Sequence, residues 1–424
     1  MRSLGALLSP VVLLLAVASA WWQPAAAAGA ATASCAPLGP PAGRVVRAAP
    51  SDAPRLPELA AAAPAGSTIL LAPGVYRVPR TIVLGRDGVT LRSADGRTAS
   101  VVLDGGYATG DLIAVAASRV TIAGLTLTRS SYHLVHVVPP DGPRSIRGTL
   151  LRALRLVDAS QQFVKVNPNA ARTAFADAGR VECSLFRLTD RGRPHVSTAL
   201  PCYTGGIDAH GARGWTVRLN RFEGIRCADG LAEHAVHFWT GSRDTLVERN
   251  TIVDCARGIG LGLGETTDWA RRYPDRPVSG YVGHYGGIVR SNVVVATRPG
   301  VDTGIGLEQA RGARVYHNTV WAAPGATGYF SSIDIRFAGT IADVRNNLAT
   351  RITLRDGGRA SLERNAESVP GIWFRAAGRL DFHLARRASG AIDRGAPVAG
   401  AGLDLDGDAR TAGAPDLGAD EAAS

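Results

Sequence analysis

The side chains best suited to moving a proton recur in short apolar segments in the middle of the chain. They are Lys165, which is the only lysine, followed by Asp208, His210 and His237. Histidine titrates near neutral pH, and neighbouring charges shift the pKa of lysine, histidine and aspartate side chains. We therefore predict that these four residues form a catalytic site for acid–base chemistry.

These residues belong to a repeated five-residue frame whose second and fourth positions are mostly aliphatic. The repeats are LVHVV (134–138), FVKVN (163–167), GIDAH (206–210), AVHFW (235–239), GIGLG (258–262), GIGLE (304–308) and SIDIR (332–336). Side chains alternate along a strand, so the aliphatic positions can face a core while the third and fifth positions point outward. Stacked strands of this kind would place two polar columns on one outer wall.

The two columns mix ionisable groups with glycines. The third positions are His136, Lys165, Asp208, His237, Gly260, Gly306 and Asp334, and the fifth positions are Val138, Asn167, His210, Trp239, Gly262, Glu308 and Arg336. Adjacent parallel strands are about 4.8 Å apart, so groups on successive strands can contact the same unit of a substrate. The glycines predict open space beside the reactive groups.

A second repeat, aliphatic–polar–variable–Asn–variable–aliphatic, interleaves with the first. Its asparagines are Asn220, Asn250, Asn292, Asn318 and Asn347. Asparagine tolerates left-handed backbone and can hydrogen-bond to the asparagine on the next strand, so we interpret these residues as scaffold. Short strands repeating at this spacing predict an all-β, right-handed parallel β-helix solenoid.

The two ends of the mature chain resemble those of secreted bacterial β-helix proteins of the pectin-lyase-like group. DAPRLPELAAAAPAGSTILLAPGVYRV (52–78) is similar to their start, and DLDGDARTAGAPDLGADE (404–421) is similar to their tail. The resemblance implies a short N-terminal capping helix. We expect a signal peptide at 1–30, an N-terminal segment and cap at 31–66, the β-helix at 67–385 and a C-terminal tail at 386–424.

The N-terminus has the features of a secretory signal peptide, since Arg2 precedes the apolar segment LLSPVVLLLAVASA. We therefore expect a secreted or periplasmic protein, and no later segment is long and apolar enough to span a membrane. Five cysteines permit disulfides in an oxidising compartment. The pairs that we favour are Cys183–Cys202 and Cys227–Cys255.

The formal net charge of +11 favours an anionic partner. An acidic polysaccharide suits a basic exported protein, whereas the arginines are scattered and match no nucleic-acid-binding motif. We expect a monomer. Three long connections, at about 168–180, 188–204 and 265–285, interrupt the coils, and the last contains the aromatic and basic residues that suit a charged sugar.

Uronic acid chemistry is the best use of these groups. Removing the C5 proton of a uronate leaves negative charge on its carboxylate, which a cation must stabilise while a base takes the proton. Departure of the leaving group makes the enzyme a lyase, and return of a proton to the opposite face makes it an epimerase. A lyase is our leading hypothesis.

Two resemblances point the same way. FVKVNPN (163–169) resembles the strand that bears the catalytic lysine in chondroitinase-B-like and alginate-lyase β-helix enzymes, which implies that Lys165 is the base. GGIDAHG (205–211) and the following EHAVHFW (233–239) resemble segments of mannuronan C5-epimerases, which implies roles for Asp208, His210 and His234.

The remaining polar residues are candidates for binding the substrate or a cation. Trp239 can stack on a sugar, and the other candidates for substrate binding are Arg243, Glu308, Arg336, His234 and His284. Asp208 and Glu308 could bind calcium, because calcium prefers clustered oxygens. We do not expect zinc, because the sequence contains no CxxC or HExxH spacing. The same two carboxylates could instead serve a glycoside hydrolase if suitably separated. A non-catalytic carbohydrate-binding or surface protein is the alternative of another class.

Overall fold

Short aliphatic strands stack in parallel along one axis, and each coil of the chain contributes strands to three long sheets. The computed structural model describes residues 35–198, 201–264, 268–277 and 279–422. The predicted right-handed parallel β-helix is confirmed. The predicted signal peptide lies outside the described residues.

One sheet carries both polar columns and is called the site sheet below. Its strands are Ile82–Leu84, Ile113–Val115, Val135–Val137, Gln162–Val166, Gly205–His210, His234–Trp239, Arg257–Leu261, Thr303–Glu308, Ser331–Arg336 and Ile352–Arg355. Val164, Ile207, Val236 and Ile259 pair in register and are fully buried. These inward aliphatic ladders form the core and fix which side chains face outward.

The two other long sheets complete each coil. The second sheet contains Gly74–Arg77, Val101–Asp104, Thr126–Thr128, Arg155–Val157, Leu185–Arg187, Arg221–Glu223, Thr251–Val253, Val293–Ala296, Thr319–Ala322 and Leu348–Ala349. The third contains Val45–Ala48, Thr68–Leu71, Thr90–Ser93, Thr121–Ala123, Leu150–Arg152, Arg180–Glu182, Thr216–Arg218, Ser242–Arg243, Leu246–Glu248, His284–Tyr285, Ile288–Arg290, Ala310–Tyr316, Ile341–Arg345 and Arg359–Glu363. Two short pairs are Ile146–Arg147 with Ala176–Asp177, and Phe374–Ala376 with Asp381–Leu384.

The asparagine ladder forms as predicted. Asn292, for example, donates from Nδ2 to Oδ1 of Asn318 at 3.0 Å and to the carbonyl of Val247 at 2.9 Å. The left-handed residue of each turn is not the asparagine, however, but the residue before it, such as Leu219 with φ 57° or His317 with φ 51°. The asparagine side chain thus stabilises a turn whose unusual backbone lies one position earlier.

The N-terminal end of the solenoid is capped by the α-helix Leu56–Ala62, which follows the 3₁₀ helix Pro50–Arg55. The helix is alanine-rich and buries Leu56 and Ala60. The strand Val45–Ala48 precedes it and pairs with Thr68–Leu71, so the third sheet begins before the cap. Further 3₁₀ helices are Arg193–His195, Gly371–Trp373 and Ala377–Arg379.

The predicted disulfide pairing is wrong. Cys35 is bonded to Cys183 and Cys202 to Cys227. Cys255 is a free thiol buried in the core, because Cys227 is bonded to Cys202 instead. Cys35 thereby attaches the segment before the cap to the middle of the solenoid. Among the described residues, no helix is long and apolar enough to cross a bilayer.

Candidate functional site

The strand register of the site sheet aligns the third-position column residue by residue. His136 pairs with Lys165, Lys165 with Asp208, and Asp208 with His237. The column then continues through Gly260, Gly306 and Asp334. In the fifth column, His210 pairs with Trp239, and Glu308 pairs with Arg336. The outward face of these strands is called the wall below.

Lys165, Asp208 and His210 form one hydrogen-bonded group, called the Lys165 cluster. The Lys165 ammonium donates to Asp208 Oδ2 and lies 3.1 Å from His210 Nε2. An ammonium only donates, so Nε2 of His210 accepts and its Nδ1–H faces Thr240 Oγ1 at 3.1 Å. The second oxygen of Asp208 accepts from the Trp239 indole at 2.7 Å. The cluster therefore holds its imidazole in one tautomer.

The Lys165 cluster points away from the core and is nevertheless buried. The side chains of Lys165 and Asp208 are 9% and 6% exposed, whereas that of His210 is 16% exposed. Trp239 is half-buried, and its ring centroid lies 4.5 Å from that of His210. His210 and Trp239 are thus the members of this group that are partly accessible to solvent.

Burial and mutual contact set the protonation states of the cluster. Burial alone would raise the pKa of Asp208, but the charge of Lys165 holds that pKa well below its usual value. Burial likewise opposes the Lys165 ammonium, but Asp208 outweighs it and raises the pKa of Lys165. Burial lowers the pKa of His210 more than Asp208 raises it. The cluster is therefore a fixed ion pair beside a neutral imidazole.

His237 lies directly below this group and is also buried. Its Nε2 lies 2.9 Å from the carbonyl of Gly262, and its ring stacks parallel to that of Trp239 at 5.5 Å. Its Nδ1 lies 3.6 Å from Glu233 and 4.0 Å from Asp208. Burial disfavours the imidazolium, but the Glu233 carboxylate beside Nδ1 outweighs it and raises the pKa of His237.

The glycines of the column do not leave open space. A Cβ atom at Gly260 would lie 2.7 Å from Nε2 of His234, and one at Gly306 would lie 3.4 Å from the same atom. The His234 imidazole therefore fills the position above both glycines, and it is 4% exposed. Burial and the neighbouring His237 keep the pKa of His234 well below its usual value.

Glu308 and Arg336 lie at the far end of the wall, where they contact loop residues. Glu308 Oε2 accepts from the backbone N–H of Gly264 at 2.7 Å. Arg336 donates to Asp356 at 2.7 Å, and its guanidinium lies 4.2 Å from the centre of the Phe337 ring. Three strand steps separate Glu308 from Asp208, roughly 14 Å.

The separation between Asp208 and Glu308 bears on two predicted roles of this pair, a calcium site and the two carboxylates of a glycoside hydrolase. They do not coordinate the same cation, because calcium–oxygen distances are about 2.4 Å. They also exceed the carboxylate spacing of a glycoside hydrolase, at most about 9.5 Å. Asp208 is further committed to Lys165 and the Trp239 indole. The two carboxylates therefore do not fit calcium.

Two predicted substrate-binding residues lie outside the site sheet, in the strands Ser242–Arg243 and His284–Tyr285 of the third sheet. Arg243 donates both Nη atoms to Asp275, which anchors the long connection after Leu261. His284 is fully buried against Thr245, and burial lowers its pKa to about 3. The hydrogen bonds described for these two side chains are thus made to residues outside the site sheet.

Several wall residues escaped prediction from the sequence. Asp111 accepts from Nδ1 of His136 at 2.7 Å, and Asn167 lies 3.2 Å from the other nitrogen of that ring. Thr240 orients His210 from the turn beyond the strand. Asp111 and Thr240 lie outside the five-residue frame, so the repeat gives no signal for either. Their position immediately before or after a strand of the site sheet is the clue that could have found them.

The connection after Leu261 packs beside the wall. Arg271 donates to the carbonyl of Gly211 at 2.9 Å and to Asp177 at 2.6 Å. Tyr273 is buried and donates to the carbonyl of Gly241 at 2.9 Å. These bonds fix the turns that follow His210 and Trp239. The aromatic residues Tyr273 and Tyr285 pack against each other, so they act as cover rather than as an exposed platform.

The wall runs along the solenoid across successive strands of the site sheet. A cleft of about 660 Å³ lies on another side of the molecule, between the asparagine-ladder turns and the C-terminal tail, and contains Arg221, Phe382 and His383 among its lining residues. Residues of the wall do not line it. An open wall along the solenoid suits a long, extended ligand better than a small enclosed one.

The fold places this chain among the right-handed parallel β-helix proteins. It is similar to the structure of pectate lyase Pel9A, with a TM-score of 0.53 and 14% identity over 90% of this chain and 97% of the other. The A-module of Azotobacter vinelandii mannuronan C-5 epimerase AlgE6 aligns with a TM-score of 0.43 and 14% identity, over 76% of this chain and 92% of the other. An alginate lyase from Paenibacillus sp. str. FPU-7 aligns with a TM-score of 0.40 and 14% identity, over 68% and 98%.

At such identities the likeness establishes the fold alone. No protein-family model matches the chain, and no curated protein sequence matches it. The activity must therefore be argued from the wall itself.

Proposed function

We propose that this protein is a secreted enzyme that acts on an acidic polysaccharide as a lyase, abstracting the C5 proton of a uronic acid unit. The observation that carries the proposal is the Lys165 cluster, in which an ammonium and a neutral imidazole share one hydrogen bond on an outward wall. β-Helix neighbours named as pectate and alginate lyases support the substrate class. Two disulfides fit an oxidising compartment.

Lys165 supplies the positive charge in this mechanism. Its ammonium has three N–H donors, of which Asp208 and His210 use two. The third can bind the uronate carboxylate, on which charge develops when C5 loses its proton. Because Asp208 favours the charged form and raises the pKa of Lys165, we assign Lys165 the role of cation and not the role of base that its sequence context implies.

His210 is the proton-transfer group. A carboxylate that attracts the Lys165 ammonium weakens its bond to Nε2 of His210 and frees that lone pair to take the C5 proton. The electron pair of the C5–H bond then forms the C4–C5 double bond as the C4–O4 bond breaks. The proton on the imidazolium passes to the leaving O4, which regenerates the neutral ring. Asp208 and Thr240 act as positioning residues that keep the tautomer.

Trp239 supplies a binding surface beside the reacting group. Its indole N–H is tied to Asp208, which fixes the ring next to His210. Aromatic faces stack on the apolar faces of sugars, and here the ring is half-buried with the remainder accessible. A sugar on Trp239 would therefore lie within reach of the exposed edge of His210.

The test is product formation by the mature protein on alginate, pectate, chondroitin and heparin-type polymers, with and without calcium. Elimination creates a double bond conjugated with the carboxylate, so ultraviolet absorbance rises as the product forms. We expect such a rise on at least one polymer and a loss of about 100-fold or more in His210→Gln. The matched control is His195→Gln, because His195 is exposed and stacks on Tyr107 away from the wall.

Each other outcome assigns a different function and overturns the lyase. A change in uronate stereochemistry without new absorbance, followed by NMR, identifies an epimerase that uses the same wall. Binding to a polymer without either change identifies a non-catalytic carbohydrate-binding protein. Equal rates for His210→Gln and the wild type would show that His210 does not transfer the proton.

A further inference from the structure

A second group of ionisable side chains lies beside the Lys165 cluster and has no role in the proposed proton transfer. Glu233, His234 and His237 each offer one ligand atom, and these three atoms lie within 4.8 Å of one another. The group is called the imidazole cluster below. It differs from the Lys165 cluster in containing two imidazoles and a carboxylate without a lysine.

Among the residues that the structure describes, each of the two imidazoles has one nitrogen without a hydrogen-bond partner. Nδ1 of His234 and Nδ1 of His237 are buried and unpartnered, although the side chains are 4% and 1% exposed. Most buried polar atoms in folded proteins have a partner, and leaving one without a partner costs about 1–3 kcal/mol. Two such atoms on neighbouring rings, whose centroids are 4.4 Å apart, indicate a missing ligand.

The backbone already orients one of these rings for coordination. Nε2 of His237 donates to the carbonyl of Gly262 at 2.9 Å, which leaves Nδ1 as the nitrogen that faces Glu233. A backbone carbonyl bonded to the far nitrogen of a ligating histidine is a common support of metal sites. Nδ1 lies 3.6 Å from Glu233 Oε2. Ligand atoms of a tetrahedral zinc ion are about 3.3 Å apart, so this pair needs little movement.

The site sheet was built to accommodate the second ring. Glycine at positions 260 and 306 leaves the volume that the His234 imidazole occupies, and a Cβ at Gly260 would approach three atoms of that ring to within 2.8 Å. A histidine that merely filled space would tolerate an apolar substitute. Here two glycines on successive strands make room for an imidazole, and Nδ1 of that imidazole has no hydrogen-bond partner among the described residues.

We propose that Glu233, His234 and His237 form a binding site for one divalent transition-metal ion of the zinc type. Two imidazole nitrogens and one carboxylate are the donor set that zinc and its neighbours prefer, whereas calcium and magnesium prefer oxygens alone. The Glu233 side chain is 33% exposed, which provides the route from solvent. Asp208 stays with Lys165 and the Trp239 indole, so a fourth coordination position is left for water or a ligand.

The test uses the full mature chain without a polyhistidine tag, stripped of metal by a chelator. Titration with Co²⁺, followed by visible absorption, and with Zn²⁺, followed by calorimetry, should each show one ion per protein. Glu233→Gln is the main variant, since its partly exposed side chain can be changed without leaving a cavity. We expect its Zn²⁺ affinity to fall by more than about tenfold.

Two further variants keep the outcome decisive. Arg257 pairs in register with His234, and its charge disfavours a cation nearby, so Arg257→Gln should bind Zn²⁺ more tightly than the wild type. Asp406→Asn is the control, because His383, Asp406 and Asp420 form another group of possible ligands in the tail. The proposal is overturned if the wild type binds no stoichiometric ion, if Glu233→Gln binds as tightly as the wild type, or if Asp406→Asn alone abolishes binding. Metal affinity is measured without substrate, so these outcomes are independent of the lyase proposal.

Discussion

The ion pair between Lys165 and Asp208 should be far more costly to break than an exposed pair of the same chemistry. Both side chains are more than nine-tenths buried. Removing one partner of a buried pair leaves an uncompensated charge, which typically costs about 3–5 kcal/mol. In Lys165→Met, Asp208 would keep the indole N–H of Trp239 at 2.7 Å. We therefore expect a loss near the lower end of that range, about 3 kcal/mol.

The double variant Lys165→Met with Asp208→Asn tests the cause of that loss. It removes the buried charge and keeps an oxygen at residue 208 to accept from Trp239. We expect it to recover about 2 kcal/mol relative to Lys165→Met alone, since replacing both members of a buried pair is often nearly neutral. The matched control is Arg55→Met, which breaks a pair with Asp52 in which the arginine side chain is 70% exposed. That change should cost far less than Lys165→Met, because exposed ion pairs contribute little to stability.

Urea unfolding, followed by tryptophan fluorescence and far-ultraviolet circular dichroism together, measures these differences. Solenoids can unfold in more than one step, so the comparison is valid where the two probes coincide and the slope with urea is unchanged. The reasoning is refuted if Lys165→Met is as mild as Arg55→Met. It is also refuted if the double variant is no more stable than Lys165→Met, because the loss would then come from packing and not from charge.

Three further predictions follow from buried groups elsewhere. His284 has a pKa of about 3 when folded and about 6.5 when unfolded, so its contribution to stability is complete above pH 6.5 and is lost as the pH falls toward 3. Between pH 7 and pH 5 this titration lowers the free energy of unfolding by about 2 kcal/mol. His284→Gln should abolish that pH-dependent loss, as measured by urea unfolding at the two pH values. A loss of the same size in the variant would contradict the prediction. Asn292→Ala should cost about 3 kcal/mol or more, because it leaves the carbonyl of Val247 and the N–H of Asn250 unpaired. Asn365→Ala, at the end of the ladder, should cost less. Equal losses of the two variants in thermal unfolding would count against the ladder. Burial raises the pKa of the Cys255 thiol to about 12. A thiol reagent should therefore modify no cysteine in the native protein and one cysteine after denaturation without reductant. Modification of the native protein would show that reagent can reach the core at Cys255.

The polar columns were predictable because alternation and stacking are strict rules. Once the aliphatic residues Val164, Ile207 and Val236 face a common core, parallel pairing forces Lys165 and Asp208 onto one outward face in register. The ladder asparagines follow from the same logic, since every coil repeats the same turn. Repetition along the chain thus provides several independent observations of one geometry, which a non-repeating fold lacks.

The same rules could not predict what fills the space above each position. The glycines at 260 and 306 predicted an open floor, but a neighbouring strand supplies a side chain, His234, that occupies it. The five-residue repeat places His234 at the edge of its strand. It does not predict the direction in which the imidazole ring points. The positions of Arg243 and His284, which we predicted to bind substrate, were missed for a related reason, because both belong to short strands of the third sheet that the repeat does not describe.

Contacts between distant segments were the least predictable. The disulfide between Cys35 and Cys183 spans 148 residues, and proximity along the sequence favoured the wrong pairs. Contacts from loops likewise determine how far the side chains of the wall are exposed to solvent. Glu308 binds the N–H of Gly264, and Arg271 binds the carbonyl of Gly211, so connections that vary in length bury groups that alternation had placed outward.

Burial of an outward wall explains why its two clusters carry different chemistry. A low local dielectric strengthens the attraction between Lys165 and Asp208 and makes each unpaired polar atom costly. The Lys165 cluster meets that constraint internally, because every charge in it has a partner. The imidazole cluster does not, because Nδ1 of His234 and Nδ1 of His237 remain without partners one strand away. In the proposed function the Lys165 cluster exchanges protons with a substrate and returns to its resting state, whereas in the proposed metal site a cation completes the imidazole cluster.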